Sequence, residues 1–227
     1  KKEMNSEIEG KDSQKLRRPE FISSPITNEI PRFSPKLNLA VMASGNGSNF
    51  EALYKSIVAK QIDAKISVLI VNNNQCMAKT RAEYLGVKCE YIDHRTFKTR
   101  EEYDERILYT LYQYNVESII MAGWMRIISP VLINKYPDRI INIHPSLLPS
   151  FKGNNAIKQA IDSKVKISGC TVHRVVKDVD SGEIIAQAAV AINKDETVES
   201  LKQKIQEREH QLLPIGVALA AMKWRCL

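Results

Sequence analysis

An alternation of short apolar runs with longer amphipathic segments, from residue 37 to residue 163, constrains the fold most. Leu37–Ala43, Ala64–Val71, Val87–Ile92, Glu117–Ala122 and Ile140–His144 are brief and mostly apolar. They read as buried strands. Between them the pattern predicts helices over Phe50–Lys60 and Gln75–Leu85, from Thr99 to about Tyr114, and from Ser129-Pro130 onward. Gly86 is placed to end the second helix, Thr99-Arg100-Glu101-Glu102 to open the third as a capping box, and Pro130 to occupy the first turn of the fourth. This order implies an α/β fold: a mostly parallel twisted sheet with helices on both faces. Ala156–Ser163 predicts a further short helix. Ile167–Val175 and Glu183–Ala191, joined by a short loop, read as antiparallel C-terminal strands. Thr197–Met222 predicts a long helix with a kink or restart at Pro214.

At 227 residues and 44% hydrophobic content the chain can bury a sizeable core. Residues 1–36 are polar and interrupted by Pro19, Pro25, Pro31 and Pro35, so they read as a flexible N-terminal extension, with residues 37–227 as a single domain. The extension carries eight Lys/Arg against six Asp/Glu and so holds +2 of the net +7. A spread of charge of this kind, without a basic run interleaved with aromatics, favours an anionic small molecule over nucleic acid. Cys76, Cys89, Cys170 and Cys226 lack metal-type spacing, so no metal site is expected. Reduced thiols, no signal-type apolar block and no membrane-spanning run place the expected location in the cytoplasm.

Two stretches carry the candidate chemistry. Ser44-Gly45-Asn46-Gly47-Ser48-Asn49 links a strand to a helix, an arrangement in which free N–H groups face an anion. A dinucleotide fingerprint would need glycine where Phe50 stands, and the Gly-Lys-Ser/Thr of a Walker loop is absent. A monophosphate is therefore expected. In the second stretch, Asn142 and His144 alternate with Ile141 and Ile143 and so point to one face at the end of a strand, before Pro145 and Pro149 stop the ladder. If Asp180 accepts a hydrogen bond from His144, it favours the imidazolium and raises its pKa, while the Asn142 amide can donate to a developing oxyanion. The set suits attack by a neutral amine on a polarised carbonyl. No nucleophilic serine is evident around Ser146. Sequence alone leaves His173 structural and Arg100 solvated.

Asn142-Ile143-His144-Pro145-Ser146-Leu147-Leu148-Pro149 resembles the signature of folate-dependent formyltransferases. The glycine loop, Gly169–His173, Asp180-Ser181-Gly182 and Gln206–His210 are similar to the phosphoribosylglycinamide branch of that group, and the likeness spans roughly Leu37 to Met222. The resemblance implies transfer of a formyl group from 10-formyltetrahydrofolate to the amine of 5-phosphoribosylglycinamide in purine synthesis, by small-molecule chemistry in a monomer or homodimer. It implies His144 as proton donor, Asp180 as its basicity-holding partner and Asn142 as oxyanion holder. It implies that Gly47, Ser48, Asn49, Phe50 and Glu51 hold the phosphoribosyl substrate, with Gln206, Glu207, Arg208 and Glu209 closing on it. Arg100, Met125, Arg126, Ile127, Ile128 and Asn142 would line the folate site with Val176, Lys177, Asp178, Val179 and Asp180.

Lys152-Gly153-Asn154-Asn155-Ala156-Ile157 departs from the family, whose members often carry histidines there; this bears on the substrate-side contacts of that loop. A formyltetrahydrofolate hydrolase resembles chains with an added N-terminal regulatory domain, for which residues 1–36 are too short. A methionyl-tRNA formyltransferase resembles chains with a further basic C-terminal domain. A non-catalytic phosphosugar-binding module would keep Gly45–Asn49 without requiring His144 and Asp180 to meet.

Overall fold

The computed structural model describes residues 22–25 and 30–225. In chain order the strands are β1 (Ile22–Ser24), β2 (Leu37–Ala43), β3 (Ala64–Val71), β4 (Cys89–Tyr91), β5 (Ser118–Met121), β6 (Ile140–His144), β7 (Ile167–Arg174) and β8 (Ile184–Ala191). The helices are α1 (Ser48–Val58), α2 (Met77–Leu85), α3 (Arg100–Gln113), α4 (Pro130–Lys135), α5 (Ala156–Asp162) and α6 (Val198–Arg225).

All eight strands join one sheet in the order β1-β8-β7-β6-β5-β2-β3-β4. The run from β6 through β5, β2 and β3 to β4 is parallel. Beyond β6 the sheet turns antiparallel through β7 and β8 to β1. The chain winds outward from β2 in one direction and from β5 in the other, which opens a crevice at the carboxyl ends of these two neighbours. The exits of both strands are tied there by the Ser44 N–H, which donates to the Gly123 carbonyl at 3.0 Å.

Alternation along each strand divides the core into two layers. Leu39, Val41, Leu69, Ile141, Ile143 and Val172 face α1, α2, α5 and α6, meeting Phe50, Leu53, Ala82, Ala160, Ile205 and Val217. Ala40, Met42, Val68, Ile70, Ile119 and Ile140 face α3 and α4, meeting Tyr103, Ile107, Leu111 and Leu132. Burial on both faces explains why the parallel strands read as continuous apolar runs.

The local stop and start signals act as their chemistry dictates. Thr99 Oγ1 accepts from the Glu102 N–H, while the Glu102 carboxylate accepts from the Lys98 N–H rather than closing the box on Thr99. Gly86 ends α2 in the left-handed region at φ 70°. Two expectations shift. α1 begins at Ser48, two residues before Phe50, and α6 runs through Pro214 as one helix, its apolar stripe held on the sheet beside β7 and β8. Within the segment read as a flexible extension, Ile22–Ser24 pairs as an edge strand with β8, and Phe33 is buried. Residues 1–21 and 26–29 of that segment lie outside the described residues. No described helix is long and apolar enough to cross a membrane.

Candidate active site

A cavity of about 970 Å³ occupies the crevice beyond β2, β5 and β6. Its walls include the glycine loop, Met121–Ile128, the end of β6, Gly153–Ile157 at the start of α5, the turn around Asp180, and one stripe of α6.

Asn142 and His144 leave β6 on the same face, as their spacing requires, and both border the cavity. Asp180, thirty-six residues after His144, is brought back by the turn between β7 and β8. Its Oδ2 lies 3.4 Å from His144 Nδ1 and its Oδ1 3.6 Å from His173 Nε2. The turn is tight enough that Asp180 adopts φ 50°, and a side chain at Gly182 would sit 1.8 Å from the Arg174 carbonyl oxygen. The Gly153 N–H donates to Asp180 Oδ2 at 2.8 Å. Burial raises the Asp180 pKa, but the nearby His173 ring, the hydrogen bond from the Gly153 N–H and the charge of His144 outweigh it, so the carboxyl is held below its usual range.

Hydrogen positions follow from what each partner can do. The Phe151 carbonyl can only accept, so His144 Nε2–H donates to it at 2.9 Å, and both ring nitrogens of His144 face oxygen acceptors. His173 Nδ1–H donates to the Arg174 carbonyl at 2.9 Å. Its Nε2 then accepts from the Asn142 amide at 3.2 Å, leaving the second amide hydrogen of Asn142 uncommitted by this contact.

On the opposite wall, Gly47 adopts φ 76° at the start of α1, and a Cβ there would lie 2.6 Å from Ala78 Cα. The Ala78 N–H donates to the Gly45 carbonyl at 3.0 Å, so α2 braces the loop from behind. Arg81 completes the brace, donating to the Asn46 carbonyl at 2.8 Å and the Asn46 side-chain oxygen at 3.0 Å, and pairing with Glu51. Asn49 donates its amide to Glu209 Oε2 at 2.9 Å. Glu209 is almost wholly buried, and burial pushes its carboxyl up to about 7 against the pull of Asn49 and the Lys202 charge. Asn49 Oδ1 is buried with no protein partner.

The structure thus gathers Gly47, Ser48, Asn49, Arg100, Met125, Arg126, Ile127, Ile128, Asn142, His144, Val176, Lys177, Val179, Asp180, Gln206 and Glu209 around one cavity. Five residues implied by the resemblance are not on its lining. Phe50 is fully buried in the core, Glu51 is turned back onto Arg81 and Lys55, and Asp178 lies outside the lining. Glu207 and Arg208 fall off the α6 stripe because 3.6-residue periodicity selects Lys202, Ile205, Gln206 and Glu209. Residue-level reading missed His173 as a member of the cluster, the Phe151 carbonyl and Lys202. His173 was recoverable: it lies on an alternating strand with its ring on the polar side. Among the described residues no group of three His, Cys, Asp or Glu is placed to hold a metal ion.

The formyl transferase profile matches residues 37–217. The chain is 39% identical to phosphoribosylglycinamide formyltransferase of Bacillus subtilis (strain 168) over 175 residues, covering 77% of this chain and 90% of that one. It is 38% identical over 196 residues to the trifunctional purine biosynthetic protein adenosine-3 of Homo sapiens, covering 86% of this chain. It spans only 19% of that human protein's length. Among solved structures, phosphoribosylglycinamide formyltransferase from Bacillus halodurans superposes with a TM-score of 0.79 at 36% identity, covering 84% of this chain and 97% of that one. A sheet that turns antiparallel beyond β6, a braced glycine loop and a matching profile over most of the length lead to one assignment: this chain belongs to the formyl transferase family.

Proposed function

We propose that this chain transfers the formyl group of 10-formyltetrahydrofolate to the amine of 5-phosphoribosylglycinamide, a step of purine synthesis in the cytoplasm. In this reading residues 37–227 act as one catalytic domain on small molecules alone, as a monomer or homodimer. The observation that carries it is the His144–Asp180 contact, 3.4 Å, in the same cavity as a helix-opening glycine loop. A phosphate-binding module has no use for that pair.

The walls suit the two substrates. Met125 is 74% exposed and Ile127 51% exposed on the cavity lining, large apolar side chains presented to the cavity, as a flat folate ring system requires. Arg100, at the first position of α3, offers a cation to the carboxylates of the folate tail. Arg126 reaches back instead, its guanidinium 5.8 Å from the Tyr103 ring centre. The Gly45–Asn49 loop, braced by Ala78 and Arg81, offers its amides to the phosphate.

The amine attacks the formyl carbon directly. Asn142 donates its free amide hydrogen to the oxyanion that develops there, while His173 fixes the amide through its other hydrogen. The attacking amine loses one proton and the departing folate nitrogen gains one. His144 supplies that proton through Nε2, exchanging its Phe151 contact for the substrate, and the proton lost by the amine restores it. Asp180 orients the ring through Nδ1 and balances its positive charge, and the lowered carboxyl pKa keeps it ionised to do so.

The test is a formyl-transfer assay with 5-phosphoribosylglycinamide and 10-formyltetrahydrofolate, run beside a reaction lacking the amine. Formylated product that depends on the amine supports transfer. Equal loss of the formyl group with and without amine assigns a hydrolase and sinks the reading.

A further inference from the structure

The phosphate end of the cavity presents a charge imbalance. A phosphate monoester is close to a dianion at neutral pH, whereas the Gly45–Asn49 loop offers only neutral donors. The cations behind that loop are already committed. Arg81 is shared between Asn46 and Glu51, and Lys55 is paired with the same Glu51.

Across the cavity, Lys202, Gln206 and Glu209 share one stripe of α6 at spacings of four and three. Glu209 anchors the inner end of this stripe to Asn49, in the first turn of α1 just beyond Gly47. Lys202 stands at the outer end, two turns away, on the cavity lining. Among the described residues it forms no ion pair or hydrogen bond, unlike its neighbour Lys204, which is held by Glu196. Two turns of helix rise about 10 Å. The charge of its ammonium is nonetheless felt at Glu209, which Asn49 ties to the glycine loop.

We propose that Lys202 is the countercharge for the substrate's phosphate, closing from α6 onto an anion seated on the Gly45–Asn49 loop and so selecting phosphorylated over dephosphorylated substrate. This deepens the proposed function and rests on it for the substrate's identity, but not for the anion site itself.

The experiment compares the full chain with Lys202→Met and Lys202→Arg, using two readouts. The first is the KM for 5-phosphoribosylglycinamide against that for its dephosphorylated nucleoside. Lys202→Met is expected to raise the former about 10- to 100-fold, the scale of a charge-assisted hydrogen bond, and to leave the latter within about twofold. The loss falls on KM rather than kcat, and Lys202→Arg recovers most of it. The second readout is calorimetric binding of inorganic phosphate alone, expected to weaken in Lys202→Met by a similar factor. Equal KM shifts for both substrates, or undiminished phosphate binding in Lys202→Met, overturns the assignment. Lysine-dependent phosphate binding without formyl transfer leaves the anion site standing and sinks only the proposed function. Absence of both activities in the unsubstituted chain sinks both.

Discussion

Asn142 and His173 face each other across the β6–β7 ladder, the amide nitrogen 3.2 Å from His173 Nε2. The antiparallel register makes them direct partners, so the orientation of the amide is set by a neighbouring strand rather than by a loop. His173→Ala removes that restraint and one of the two imidazoles beside Asp180. The expected outcome is a fall in kcat of about 10- to 100-fold, the scale of one lost buried hydrogen bond, with both KM values little changed. Steady-state kinetics with each substrate varied separately checks it. A loss confined to KM would remove His173 from the positioning of Asn142.

His144→Ala and Asp180→Asn act on the proton itself. Each is expected to lower kcat by about 10²- to 10⁴-fold, the usual yield of a positioned acid–base group. Binding of inorganic phosphate should be unaffected, because the glycine loop lies on the opposite wall. Turnover at the unsubstituted rate in either variant would refute the catalytic assignment.

Asn49→Leu breaks the bond to Glu209 and takes a polar group from the phosphate wall. The KM for the phosphorylated substrate is expected to rise about tenfold or more, with the folate KM moving far less. Equal shifts in the two constants would dissociate Asn49 from the phosphate subsite.

Glu209 sets a pH dependence of stability. Its carboxyl is raised from 4.5 to about 7 by burial, so between these values the folded chain holds a proton that the unfolded chain has released. Stability contributed by the protonated form is present below the unfolded value and is lost as pH rises toward 7. Glu209→Gln keeps an acceptor for Asn49 and cannot ionise. It should flatten that decline, gaining about 1–3 kcal/mol at pH 8 relative to pH 5 against the unsubstituted chain. Urea unfolding at the two pH values measures the difference; an unchanged slope would mean that Glu209 titrates normally.

The parallel half of the sheet was legible because strands buried on both faces carry apolar runs, as Leu39–Ala43 and Val68–Val71 do. The β1 edge strand was not. Ile22–Ser24 is short, lies among prolines, and is defined by its pairing with Ala189, Ala188 and Gln187 rather than by its own pattern. Helix α6 shows the reverse problem. Pro214 signals a break locally, yet Leu212, Leu213 and Val217 bury a stripe against the sheet that outweighs one missing backbone bond. In the site, Asn142 and His144 followed from strand parity alone. Their meeting with Asp180 depended on a left-handed residue in a long-range turn, which the family resemblance supplied and spacing could not. Phe50 and Glu51 were drawn in with their neighbours Gly47–Asn49, although one turn of helix carries their side chains away from the cavity.

The bond between Asn49 and Glu209 joins positions 160 apart in the chain. A molecule lodged against both therefore acts as a splint between the earliest and the latest helices of the domain. Its arrival should slow amide hydrogen exchange in α1 and α6 in step, far beyond the few groups it touches, so that occupancy is written into the opening rate of the whole body.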